Sequence, residues 1–237
     1  MGFIALQRLP VALGVAHCCR KGLRLSATTS TARMALGDNG GSAAPPAPSS
    51  VIHFLTLCQR LKTTKRAGWL NRDVKNAESI ADHMHRMAIM ALIAADIPGI
   101  DKDRCVKMAV VHDIAEAIVG DITPADGIPK DEKSRRERAA IDEMCDILEN
   151  GRAASEIREL WNEYESNLSP EAKLVKDLDK VEMILQALEY ESAQDKELDD
   201  FFMSTAGKFQ TDIGKAWAAE IVSRREKRKE KLHAAST

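Results

Sequence analysis

Aromatic side chains are scarce: three Trp, two Tyr and five Phe make up 4% of 237 residues. With Ala, Leu, Ile, Glu, Lys and Met plentiful, that balance favours helix over sheet. An uninterrupted apolar run of about 20 residues is also missing, because charges break every candidate, so no transmembrane span is expected. The five cysteines (Cys18, Cys19, Cys58, Cys105, Cys145) form neither a disulfide ladder nor a zinc spacing, which fits a reducing compartment. A large excess of either charge is lacking too, the formal net charge being −2. No internal repeat is visible. The 44% hydrophobic and 30% charged residues are those of a chain that buries a core, and its length suits one domain plus an appendage.

The near-neutral total hides an asymmetry. The first 33 residues hold no acid, several arginines and a Ser/Thr run from Ser26 to Thr31, the composition of a mitochondrial or plastid transit peptide. A plain tail is the alternative, and Met34 offers a second start that would leave the chain cytoplasmic. Residues 35–50, rich in Gly, Ala, Pro and Ser, read as a flexible linker. Residues 51–237 then form the folded domain. That part is acidic, which argues against binding a nucleic-acid polymer through its phosphates. The basic run Arg224–Lys231, interleaved with glutamates, reads as a solvated helix end.

From Val51 onward the pattern is helical, and the expected class is all-α. Helices are expected over about 51–62, 78–95, 102–119, 131–149, 153–166, 170–191 and 209–232. A Pro/Asp/Gly loop at 121–130 separates the third from the fourth. The third is apolar nearly all round in its second half, which makes it the buried central helix, with Gly120 as its stop.

That apolar helix carries His112, Asp113 and Glu116, three ionisable groups on neighbouring parts of one helical face. A carboxylate buried there needs a partner or a metal. A His–Asp pair with Glu116 at the surface is the structural alternative. Upstream, His83 shares the inward stripe of Ile80 and Met87, whereas His85 lies about 200° around and reads as exposed. Further on, Asp179 flanks the stripe of Leu174, Leu178, Val181, Leu185 and Leu188, beside Val175 and Glu182, and Asp177 falls on the solvated side.

The order His83, His112-Asp113, Asp179 resembles the H…HD…D pattern of the HD-domain metal-dependent phosphohydrolases. Gly68-Trp-Leu-Asn-Arg72, Glu78 to His83, His112 to Glu116, Gly120-Asp-Ile-Thr-Pro124 and Lys176 to Asp179 resemble its 5′-deoxynucleotidase branch, which includes the HD domain-containing protein 2 group. The resemblance covers most of residues 51–200. It implies a helical bundle with a metal site between central helices, a homodimer, and hydrolysis of deoxynucleoside 5′-monophosphates to deoxynucleoside and phosphate.

It further implies His83, His112, Asp113 and Asp179 as ligands of a divalent ion (Mn, Co, Mg or Zn). Glu116 would orient or deprotonate water, and Asp121 would be a second essential acid. Both are hard oxygen donors able to hold a second ion when phosphate is bound. Trp69 falls beside the sugar, or else anchors the first loop in the core, and Arg72 is a nearby basic position. One departure stands out: bacterial members have arginine immediately before the tryptophan, where this chain has Gly68, and whether Arg66, two residues earlier, reaches the phosphate instead is left open by the sequence. The competing readings are the same metal site acting on a triphosphate, cyclic nucleotide or alarmone, and a helical binding module without turnover. For the dimer, the helices between about 131 and 191 are the expected contact.

Overall fold

A computed structural model describes residues 45–94 and 97–236. The basic first 33 residues and Met34 lie outside the described residues. Ten α-helices are seen among those described: α1 (Pro48–Thr63), α2 (Ala67–Leu70), α3 (Ile80–Ile93), α4 (Lys102–Val111), α5 (Glu116–Val119), α6 (Lys130–Ile147), α7 (Arg152–Ser166), α8 (Pro170–Gln194), α9 (Asp199–Thr205) and α10 (Asp212–Ser236). No strand is formed among them, and no helix is long and apolar enough to cross a membrane. The all-α expectation holds.

The differences from the sequence reading have local causes. Helix α1 starts at Pro48, inside the stretch read as linker, because proline's fixed φ suits a first turn. The helix expected over 78–95 starts at Ile80, where Ser79 and Asp82 close a capping box, each side chain accepting from the other's backbone N–H. The single helix expected over 102–119 is two. Between them the backbone tightens to i→i−3 bonds, Ile114 N–H to the Val111 carbonyl and Glu116 N–H to that of Asp113. Gly120, at φ 75°, ends α5 as expected. The short helices α2 and α9 carry too few residues for a periodic signal.

Helices α3, α4 and α8 pack against one another at the centre. Their shared core is built from Ile80, Met84, Met87, Met108, Ala109, Leu174 and Leu178, all buried, and Met144, Trp161 and Ile141 extend it under α6 and α7. Methionine fills the irregular spaces that so few aromatics leave. A smaller cluster, with Trp69, Val74, Ala187, Tyr190 and Leu198, ties α2 and the chain before α9 to the second half of α8.

Two surface expectations are corrected. Asp177 is fully buried, not solvated: its carboxylate accepts from the backbone N–H groups of Gln210 (2.8 Å) and Thr211 (2.7 Å) and from the Thr211 hydroxyl, and Lys180 Nζ lies 2.9 Å away. Within the basic run, Arg225 is only 11% exposed; it pairs with buried Glu191 and lies over the Phe202 ring. The rest of that run is largely exposed, as expected. Helices α6 to α8 show no large exposed apolar side chain; the exposed ones are most numerous on α3 (Ile89, Leu92, Ile93), with two on α1 (Ile52, Leu55), two on α10 (Val222, Leu232) and single ones elsewhere (Leu70, Val110, Leu168, Met203).

Candidate metal centre and cleft

The tightened turn between α4 and α5 places the central residues. His112 caps α4, and its Nδ1–H donates to the Ala109 carbonyl at 3.0 Å, which turns Nε2 inward. His83, on α3, is fully buried, and its Nδ1 is 2.6 Å from Glu182 Oε2 of α8, so its Nε2 is aimed the same way. The two Nε2 atoms converge on Asp113 Oδ2, at 3.1 Å from His112 and 3.9 Å from His83. Asp179 brings Oδ1 to 3.3 Å from His83 Nε2, while Tyr164 donates to its Oδ2 at 2.8 Å.

His83, His112 and Asp113 satisfy the geometry of a three-donor metal group, with Asp179 adjoining. Neither Nε2 has a hydrogen-bond partner despite burial. Such atoms are rare and costly unless something outside the chain satisfies them. The charges agree. Burial and nearby Arg66 disfavour a proton on His83, yet Asp179 and Glu182 outweigh them and raise its pKa to about 9. Carboxylates on both sides thus call for positive charge between them, and a divalent ion with imidazole and carboxylate donors meets that need. The residues present fit a metal.

A cleft of about 700 Å³ opens over this centre. Asp113, Glu116, Asp121 and Asp179 line it. Glu116 is buried, not at the surface, and its Oε2 has no partner. Burial, then Asp113 and Asp121, push its pKa well above the usual carboxylate range. Asp121 accepts from the Ala67 N–H at 2.7 Å, which ties the loop after α5 to α2. Glu116 and Asp121 gather no third His, Cys or carboxylate donor into a compact group among the described residues.

Of the five basic residues that line the cleft, Arg66 and Lys133 act on these acids most directly. Arg66, at the start of α2, reaches Asp113 Oδ2 at 3.1 Å, so the arginine two residues before Gly68 does enter the cleft. Burial disfavours the charge of Asp113, but His112 and Arg66 hold its pKa well below the usual range. Lys133 of α6 donates to the Ile122 carbonyl at 2.9 Å; burial would lower its pKa, but Glu137, Glu116, Asp113 and Asp121 together raise it.

The remaining assignments divide. Trp69 borders the cleft but is 2% exposed: its indole N–H donates to Glu78 at 2.9 Å, Phe201 stacks on it, and Tyr190 meets it edge-on. It is chiefly a core anchor. Arg72 is outside the cleft, paired with Asp200 of α9 at 2.5 Å, because the turn after α2 carries it away. His85 is exposed, as expected. Sequence reasoning missed Glu182, Tyr164, Lys133 and Phe201. Glu182 had a signal, since it lies three residues after Asp179 on one helix and so on nearly the same face.

Comparisons with known proteins agree with this geometry. Residues 58–221 match the HD domain family. The chain is 52% identical over 162 residues to 5′-deoxynucleotidase HDDC2 of Homo sapiens, covering 68% of this chain and 78% of that one. To 5′-deoxynucleotidase hdd1 of Schizosaccharomyces pombe it is 48% identical over 181 residues, covering 75% and 91%. Among solved structures, the PH0347 protein of Pyrococcus horikoshii OT3 superposes with a TM-score of 0.60 at 36% identity, over 73% of this chain and 97% of that one.

Proposed function

The chain belongs to the HD domain family, and from that premise we propose that it is a divalent-metal-dependent 5′-deoxynucleotidase, converting deoxynucleoside 5′-monophosphates to deoxynucleoside and phosphate. The observation that carries the reading is the pair of buried, unpartnered Nε2 atoms facing Asp113 at the floor of an acid-lined cleft. Relatives about half identical to this chain, over most of their own length, bear the 5′-deoxynucleotidase name.

His83, His112, Asp113 and Asp179 would hold the ion. Bound there, it would neutralise charge at phosphorus and acidify water. The chain's own groups do the rest. The carboxylates of the cleft alone would repel a phosphate dianion, so its basic residues, Arg66 and Lys133 among them, supply the protein's attraction for it. Glu116, which lines the cleft with a buried Oε2 that no group of the chain occupies, takes the proton of the attacking water through that oxygen. As that water's oxygen bonds to phosphorus, the P–O5′ bond breaks, and the proton that Glu116 took passes to the departing 5′-oxygen, which leaves as a hydroxyl and returns Glu116 to its carboxylate form. Asp121 holds α2 against the cleft through the Ala67 N–H. A second ion on Glu116 and Asp121 would need phosphate oxygens to complete its shell.

The HD domain is taken to run from α1 to α10. We place a homodimer contact on the exposed apolar residues of α1 and α3, and sedimentation of the full chain tests the dimer. A reporter fused to residues 1–50 tests organellar import.

The deciding measurement is phosphate release from all deoxy- and ribonucleoside monophosphates, with triphosphates and cyclic nucleotides alongside, under cobalt, manganese, magnesium and zinc in turn. Deoxynucleoside monophosphates should be the preferred substrates, and Asp113→Ala should lose both metal and turnover. Preference for a triphosphate or cyclic nucleotide would move the same site to another phosphoester. An Asp113→Ala protein that kept its metal and full dAMP hydrolysis would overturn the assignment.

A further inference from the structure

Part of the apolar lining of the cleft is an aromatic ring that no motif announces. Phe201, on α9, is half-buried and lines the cleft with Met183 and Gly68. Its ring stacks on Trp69 with centroids 4.3 Å apart and planes at 30°. Trp69 is enclosed by that stack, by Tyr190 and by its bond to Glu78, so Phe201 offers the accessible aromatic surface where the tryptophan does not.

Gly68 makes this arrangement possible. A Cβ at that position would already touch the Phe201 ring, at 3.4 Å from Cε1 and 3.7 Å from Cζ. A longer side chain there would take the space of the ring. The ring is also well held. Leu198 N–H donates to Glu191 at 2.8 Å just before α9, Arg225 pairs with Asp199, and Arg72 with Asp200. A planar apolar group fixed in this way, in a cleft that is otherwise lined largely by charged and polar groups, suits a ligand with a charged head and a flat body.

We infer that Phe201 is the wall that stacks on the base of the nucleotide, setting nucleoside monophosphates apart from base-free phosphomonoesters, and that Gly68 is the residue that admits it. The inference rests on the 5′-deoxynucleotidase reading and deepens it: the absence of a basic side chain before Trp69 is matched by an aromatic contact from a different helix. Because every base has a π-face, such a wall raises affinity for the nucleoside part without selecting strongly among bases.

The test separates base from phosphate by using 2-deoxyribose 5-phosphate, which has the sugar and phosphate but no base, as a competitive inhibitor of dAMP hydrolysis. Phe201→Leu keeps a cover over Trp69 but removes the π-face. It should raise KM for dAMP by about tenfold while leaving the inhibition constant of 2-deoxyribose 5-phosphate unchanged. Phe201→Tyr should stay near wild type on both measures, and Gly68→Val, which crowds the ring, should act in the direction of Phe201→Leu. Equal weakening of both ligands by Phe201→Leu would make the ring a structural support, and no change in either would leave it without a role; each overturns the inference. Wild-type protein that fails to hydrolyse any deoxynucleoside monophosphate would overturn the underlying reading and this inference with it.

Discussion

Asp177 and Asp179 stand two residues apart on α8, yet they belong to opposite kinds of region. Asp177 faces the start of α10, where two backbone N–H groups, a hydroxyl and Lys180 surround its carboxylate. It is a negative charge at the positive end of a 25-residue helix, compensated by the protein itself: Oδ2 accepts all three hydrogen bonds, and Oδ1, which makes none, lies 2.9 Å from the Lys180 ammonium. Asp179 faces His83 and Tyr164, in a region where two imidazole nitrogens and a carboxylate oxygen of Glu116 are buried without partners. Asp177 and Glu116 are both buried, one in each region, so burial of a carboxylate says little about function. What separates the two regions is whether a lysine and a helix start of the chain itself supply the counter-charge, as at Asp177, or whether the imidazole nitrogens are left facing a place for a cation and a phosphate.

The comparison breaks most visibly at Glu182. This residue touches neither cleft nor substrate, but it fixes the ring of His83 through Nδ1 and is itself held by Arg86 at 2.8 Å. Glu182→Gln should weaken metal affinity by about 10–100-fold, read by competition with a chelator, with turnover recovering at high metal concentration. An unchanged affinity would mean that the open region does not depend on the orientation of His83, and the ligand assignment of that histidine would fall.

The closed region should respond in stability and not in chemistry. Asp177→Ala strands two backbone donors, a hydroxyl and Lys180, and should cost about 2 kcal/mol or more, measured as a lower Tm or denaturant midpoint. Metal content and kcat of the folded protein should stay at wild-type values. Gly214→Ala probes the same contact from the other side. A Cβ there would sit 2.6 Å from Asp177 Oδ2 and 2.8 Å from its Cβ, so the helix must shift, at a cost of about 1–3 kcal/mol. Loss of metal in either variant would show that the two regions are coupled through α8.

The same contrast explains what the sequence could and could not disclose. His83, His112 and Asp113 are legible because a polar group in an otherwise apolar helical stripe is an anomaly visible in one dimension. Asp177 was misread because its partners, Gln210 and Thr211, are more than 30 residues away in the chain; nothing in the α8 pattern announces that another helix will begin against it. Phe201 and Lys133 contribute to the cleft through tertiary placement alone, on elements whose own patterns are short or uniformly charged. Local periodicity shows what a helix wants to bury, whereas the partners that satisfy it come from chain connections that periodicity does not contain.

The smallest effect is expected at Arg72, the position where resemblance and geometry disagree. Its pair with Asp200 is exposed on both sides, 47% and 69%, so the bond itself contributes within about 1 kcal/mol. Helix α9 keeps its other anchors, the Glu191 bond to the Leu198 N–H and the Arg225–Asp199 pair, when Arg72 is removed. Arg72→Ala should therefore leave KM for dAMP and the metal content unchanged, with a slightly lower Tm at low salt that converges on wild type as salt screens the pair. A raised KM with stability intact would place the guanidinium on the substrate during turnover. The turn after α2 would then have to swing Arg72 from α9 into the cleft, and the boundary between the closed and open regions would move with the ligand.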